Sequence, residues 1–321
     1  ELWPGARKLS RIFDRFGSFE MRDPTAYIPV EADIPEMLYV SESTSANASA
    51  YATTKTGSNR VTVSAKKFVL HQQWSGELGE DSIVPFVPFL RRQQQVSLAH
   101  YMDSLVLNGD DTNAGTGNIN LDDADPADTK HYLAFDGVRH VGLVDNTGNS
   151  KDVGNAAITW NLLRRAPSRM LDTTYLHDWG HPVRPTDLVY LADPSTADEI
   201  ALLDEVKGLE MIGPRTPLLT GQLAQIGPHP LISTIAMSKT EADGKVSTTA
   251  GNNTRGQIAT VNVNGARVGW RRRVRVEVDR EAKADQNLII LSLRMGFGRF
   301  SSTGAAAGQE WADVLYNIAL P

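Results

Sequence analysis

The pattern of apolar and polar positions changes character several times along this chain. Near the start, Leu9, Ile12, Phe13 and Phe16 recur at i, i+3, i+4 and i+7, which predicts a short helix over 6–16. Residues 26–40 (AYIPVEADIPEMLYV) read as strand pieces broken by Pro29 and Pro35. Large apolar residues then nearly vanish. VSESTSANASAYATTKTGSN (40–59) holds Tyr51 and little else of that kind. A structureless insert of this length is uncommon inside a compact domain. Alternation returns at 60–74, where Val61, Val63 and Ala65 oppose Arg60, Thr62, Ser64 and Lys66, as in a strand with one dry face. Two strand-like legs with a soft polar tip predict a β-arm projecting from a body. A two-stranded ribbon alone is marginal in water, so such an arm needs a surface to rest on.

The next segment, 81–109, carries the strongest helical period. Leu90, Leu98, Met102 and Leu105 fall on one face, with Val96, Tyr101 and Val106 beside it and Arg91, Arg92 and Gln93–Gln95 toward the other. Asp81 or Ser82 is the expected cap. Pro85 and Pro88 place the start of regular helix between 83 and 88, and Asn108–Gly109 supplies a stop. A turn-rich stretch fills 110–130, and helical segments are expected near 132–145 and 155–171. DLVYLA (187–192) reads as a buried strand, and PSTADEIALLDEV (194–206) as a helix with Ser195 at its N-cap. A strand near 231–237 completes a small α/β layer. The last third reads as strands: 258–270, with an Asn264–Gly265 hairpin signal, then 271–281 and 287–295.

Composition narrows the function classes. At 321 residues and 41% hydrophobic content, the chain can bury a real core. A net charge of −6 does not fit a strongly basic nucleic-acid binder. With no cysteine, disulfides, thiolate metal sites and cysteine nucleophiles are excluded. No apolar run approaches the roughly 18–20 residues of a membrane span. The first residues show no signal-peptide stretch. The chain begins at Glu1 without methionine, which leaves two readings open: a chosen start, or removal of an upstream segment.

Candidate chemistry is sparse. HDWGH (177–181) places His177 and His181 at i, i+4 with Asp178 between them, but Gly180 and Pro182 oppose a zinc-binding helix. DDTNAGTGNINLDDADPAD (110–128) has an acidic, Asn/Gly-rich look but lacks the EF-hand order, so a solvated turn is expected. Arg271, Arg273 and Arg275 share one face of a strand, read as solvated or ion-paired, with weak phosphate contact as the alternative. No nucleotide loop or nucleophile elbow is present. No catalytic, cofactor or metal residue is expected, and the chain is not read as an enzyme. The competing readings are a metal-dependent hydrolase built on His177, Asp178 and His181, and a non-specific nucleic-acid module built on Arg271–Arg275.

The ordered set of features resembles the major capsid proteins of tailed bacteriophages of the Hong Kong-phage type. A polar arm leads into AKKFVLHQQWSGELGEDS (65–82), then a long amphipathic helix ends in LNGDDT, close to that family's L-N-G-D-G-T, with Asp111 where glycine is usual. TGQLAQIGPHPLISTIAM (220–237) and VRVEVDREAKADQNLIILSLRMGFGRF (274–300) are similar to its later turn and strand pair. The resemblance implies an α+β capsid fold: an N-terminal arm (1–25), strands and an extended β-hairpin E-loop (26–81, the loop at about 38–66), a peripheral domain (82–130) with its spine helix at 82–107, an axial domain (131–257), and return strands with a C-terminal tail (258–321). It further implies hexamers and pentamers closing an icosahedral shell around double-stranded DNA in the virion, assembled in the host cytoplasm, with a portal and decoration or scaffolding proteins as partners and no membrane. Glu1 is then read as the end left by a maturation protease. Some members join an E-loop lysine to an asparagine. Lys55 stands in the loop here, read as solvated or ion-paired.

Overall fold

The computed structural model describes residues 12–31, 37–44, 58–81, 86–114, 117–170, 187–207, 222–299 and 310–321. Twelve strands lie among them: β1 (Gly17–Glu20), β2 (Thr25–Glu31), β3 (Ser58–Ser64), β4 (Lys66–Ser75), β5 (Ser150–Ala156), β6 (Leu188–Ala192), β7 (Gln222–Ile226), β8 (His229–Ser233), β9 (Gly256–Asn262), β10 (Ala266–Glu281), β11 (Gln286–Arg299) and β12 (Ala312–Ile318). They make a four-stranded sheet in the order β1-β10-β11-β4, a six-stranded sheet in the order β5-β12-β9-β6-β8-β7, and the ribbon β2-β3.

The long helix, Phe86–Asn108, starts inside the expected window. The helix Gly76–Asp81 precedes it, so Asp81 ends one element and does not cap the next. Leu90, Leu98, Met102 and Leu105 are buried as the period requires, while Val96 and Tyr101 face solvent. Gln94 departs from its expected polar face. It is buried, and its Nε2 donates to Gln72 Oε1 at 2.9 Å, tying the helix to β4. Every residue from 102 to 110 is buried, because here the helix runs into the space between the two sheets.

Of the N-terminal helix expected over 6–16, residues 6–11 lie outside the described residues, and the described part holds the 3-10 turn Phe13–Arg15. Asp103 on the long helix fixes that turn, its Oδ1 accepting from the amides of Ile12 (3.2 Å) and Phe13 (2.9 Å). Phe16 then stands edge-on to Phe297 (5.5 Å) and Trp311 (6.0 Å). These rings come from the turn, the end of β11 and the start of β12, so one aromatic cluster joins both sheets. Buried aromatic pairs of this geometry contribute about 0.5–1.5 kcal/mol each beyond area burial.

Several boundaries differ from the sequence expectation. The run 60–74 splits at Ala65 into β3, paired with β2, and β4, paired with β11. β5 replaces the start of the helix expected at 155–171, leaving the helix Trp160–Arg165 and the 3-10 turn Pro167–Met170. The stretch near 132–145 is a 3-10 turn (His131–Ala134), a single α turn (Val138–His140) and a π turn (Val141–Asp145). The helix Pro194–Ala201 takes Asp193, not Ser195, as its N-cap: Asp193 Oδ2 accepts from the Thr196 amide at 3.0 Å, and Pro194 occupies the first turn, where its missing N–H costs nothing. Asn264–Gly265 does form a turn, but β9 and β10 do not pair. β9 enters the six-stranded sheet and β10 the four-stranded one. Neither turn residue has positive φ, so this is not the primed turn that folds a chain back on itself. The six-stranded sheet also claims β12, so the sheets divide the chain near 263–265 and then again before 312, not at 257.

Candidate assembly surface and helix-end junction

The phrase LNGDDT closes the long helix at a junction built from close backbone approach and buried polar groups. The Gly109 amide donates to Leu105 O at 3.1 Å, and Gly109 O accepts from the Gly137 amide at 2.9 Å. A Cβ on Gly109 would strike the Phe135 carbonyl and stand 2.8 Å from Leu105 O, and one on Gly137 would lie 2.7 Å from the Gly109 nitrogen. Both positions demand glycine for space, since neither has positive φ. Asn108 spans the gap to the second sheet. Its Nδ2 donates to Ala236 O at 2.7 Å, and its Oδ1 accepts from Arg139 Nη1 at 2.9 Å. Arg139, 1% exposed, also donates to Gln257 Oε1 and Gly244 O. Burial lowers its pKa to about 10, with Asp110 and Asp243 pulling the other way, so the guanidinium stays charged at neutral pH.

Asp110, fully buried, accepts from the amides of Thr112 (2.9 Å) and Ile119 (2.7 Å). The stretch 110–128 is therefore anchored, not a solvated turn: Asn118 and Ile119 are buried, and Asp123 accepts from the Thr248 amide at 2.7 Å. His140 Nδ1 lies 3.2 Å from Asp110 Oδ1, and Nε2 lies 3.3 Å from Asp145 Oδ1 and 3.7 Å from Asp136 Oδ1. Burial disfavours the imidazolium, but the attraction of Asp110, Asp145 and Asp136 outweighs it and raises the pKa to about 10. No periodicity or motif marks Arg139 or His140 in the sequence. Only the fold brings them to the helix end.

The arm is built on the opposite principle. In the ribbon β2-β3, Thr25 pairs with Ser64 and Glu31 with Ser58. Its base is held by Val63, 1% exposed, which sits in a notch above Gly296 and Gly298 of β11. A Cβ on Gly296 would come within 2.6 Å of Ser64 O. Farther out the support ends. Tyr27 is exposed, its ring covered by Arg60 at 4.4 Å. Beyond β2, Met37 is 97% and Tyr39 94% exposed. Lys55 and the rest of 45–57 lie outside the described residues, as does HDWGH with His177, Asp178 and His181.

The remaining chemical candidates resolve into structural roles. Arg271, Arg273 and Arg275 are all exposed on β10, but register shifts between Trp270 and Arg275 break the alternation that would have set them on one face. Arg273 pairs with Glu20 (3.5 Å) and Arg275 with Glu277 (2.8 Å), exposed pairs of the kind that contribute about 0–1 kcal/mol. An open groove of about 1030 Å³ lies between β4, the long helix and residues 127–134. On its wall Ser104 Oγ lies 2.9 Å from His131 Nε2, while Asn108 Nδ2 donates to the same hydroxyl at 3.2 Å. Burial, helped by His100 and Lys130, lowers the His131 pKa to about 4, so the ring is neutral and can accept the hydroxyl proton. This chain of bonds ties the helix to the 3-10 turn at His131. Among the described residues no helix is long and apolar enough to cross a membrane.

No protein-family model matches the chain, and no curated protein matches it. Solved structures do. A structure from Microbacterium phage Oxtober96 is 16% identical, covering 95% of this chain and 90% of that one with a TM-score of 0.65. The capsid of Ralstonia phage GP4 is 11% identical over 96% and 88% of the two chains, with a TM-score of 0.60. The capsid of a native GTA particle, computed with C5 symmetry, is 14% identical over 97% and 90%, with a TM-score of 0.56. These likenesses over nearly the whole chain show the fold: the chain has the α+β phage capsid fold of the Hong Kong-phage type.

Proposed function

We propose that this protein is the major subunit of an icosahedral phage shell. It is a structural protein, not an enzyme, and its place is the virion. One observation carries the reading beyond fold likeness: beside the ribbon, the apolar side chains of Met37 and Tyr39 are exposed, and among the described residues nothing covers them. Fully burying one such side chain stabilises by roughly 1.5–3 kcal/mol. Repeated on every copy, many modest contacts close a shell, and closed symmetry lets one patch serve all subunits.

In this reading the four-stranded sheet and the long helix form the peripheral domain, the six-stranded sheet forms the axial domain around five- and six-fold centres, and the ribbon is the base of the E-loop. Hexamers and pentamers are the building blocks. A portal, decoration or scaffolding proteins and packaged double-stranded DNA are the further partners, and the DNA contact is non-specific, in keeping with a net charge of −6 and with Arg273 and Arg275 already paired to carboxylates. Assembly takes place in the host cytoplasm.

Sedimentation with negative-stain microscopy of the purified chain tests the proposal. Shells, or pentamers and hexamers, are expected. A monodisperse monomer at high concentration in every buffer, with the arm folded onto its own body, would overturn it.

A further inference from the structure

The buried group around His140 has the layout of a metal site. Asp110 and His140 are 0% and 5% exposed. His140 Nδ1 is buried and points at Asp110 Oδ1 from 3.2 Å, yet the two are not aligned for a hydrogen bond. Ligand atoms around a tetrahedral zinc ion, with bonds of about 2.0–2.2 Å, stand about 3.3–3.6 Å apart, close to this separation. Asp110 has spare lone pairs, because the two backbone amides engage each of its oxygens once. Asp136 completes the group: one ligand atom each from Asp110, Asp136 and His140 lie within 4.8 Å of one another.

The opposite side of the imidazole is arranged accordingly. Nε2 faces Asp145 Oδ1 at 3.3 Å, with Asp136 Oδ1 at 3.7 Å from the same nitrogen, and Arg299 holds the Asp145 carboxylate in turn. A carboxylate that takes the far ring N–H fixes the tautomer and leaves the near nitrogen free to ligate, as in carboxylate–histidine–zinc arrangements.

We infer that Asp110, Asp136 and His140 bind one divalent transition-metal ion, zinc by the mixed nitrogen and oxygen donor set, with Asp145 as the positioning residue. The ion ties the end of the long helix (Asp110) to the segment that leads into the six-stranded sheet (Asp136, His140), a structural staple in a chain without cysteine. Asp122, Glu241 and Asp243 make a second acidic group, more exposed and without an imidazole. The inference concerns the single subunit and stands whether or not shells form.

Calorimetric titration of the chelator-stripped full chain with zinc chloride, beside thermal scans, tests it. The expected result is one zinc per chain and a saturable rise in Tm. Asp136→Asn should weaken binding at least tenfold, measured against its own metal-free Tm, which the lost attraction to His140 lowers in advance. Asp145→Asn should weaken it about 10–100-fold. No saturable binding by the wild type would overturn the site. So would undiminished affinity in Asp136→Asn, which would place the ion elsewhere.

Discussion

The helix-end junction and the arm use the same backbone for opposite purposes. At the junction, Asn108, Asp110 and Arg139 are buried polar residues whose partners all come from the same chain. In the arm, Met37 and Tyr39 are apolar residues left in water. A buried polar group without a partner costs about 1–3 kcal/mol, so the junction must be complete before the subunit is stable. An exposed apolar side chain adds nothing to the isolated subunit and is stabilised only by a neighbour. The contrast separates what folds one copy from what joins copies.

The comparison breaks most sharply at Gly109. Gly109→Ala pushes a methyl group into two backbone carbonyls that no rotamer change can move. A loss above about 4 kcal/mol is expected, the size reserved for core disruption. The check is soluble yield and urea midpoint: a variant within 1 kcal/mol of wild type would show that the helix end is loosely held.

A smaller effect comes from pH. The His140 pKa is higher in the folded chain, about 10, than its ordinary value of 6.5. Its contribution is therefore complete below about pH 6.5 and fades as the pH rises toward 10. The size is on the order of 4 kcal/mol. Urea titrations with chelator present should show stability falling from pH 7 to 9.5 in the wild type, and a much flatter profile in His140→Gln. Equal slopes would remove the charged imidazole from the account.

The long helix was legible because its 3.6 period survives from Leu90 to Leu105 and a turn phrase ends it. The buried strand β6 was legible as a short apolar run. The ribbon β2-β3 was legible from the alternation around Val61 and Val63, while the polar tip expected beyond it lies at 45–57, outside the described residues. The junction was only half legible. LNGDDT announces a helix stop, but the need for glycine at 109 arises from residues 135–137, which no local pattern links to it. β5 was hidden because SKDVGNA has a single large apolar residue, as suits an edge strand paired in parallel with β12. The turn at Asn264–Gly265 misled for a related reason: the dipeptide reports a turn, while the destination of the next strand is set by which sheet can bury Val268 and Trp270.

The smallest expected effect on the isolated subunit tests the other side of the comparison. Met37→Ser with Tyr39→Ser removes two apolar side chains that no described part of the subunit covers. Surface changes of this kind shift stability by no more than about 0.5 kcal/mol, so the urea midpoint of the monomer should stay put. Assembly should not. If a neighbour buries both residues, each contact loses roughly 3–6 kcal/mol, taking 1.5–3 for each side chain. That loss is repeated at every subunit and should appear as a raised concentration threshold for shells or capsomers. A double variant that assembles like wild type would mean the arm reaches past its neighbours. One that also unfolds more easily would mean these side chains rest on their own subunit, and the division between folding contacts and joining contacts would have to be redrawn.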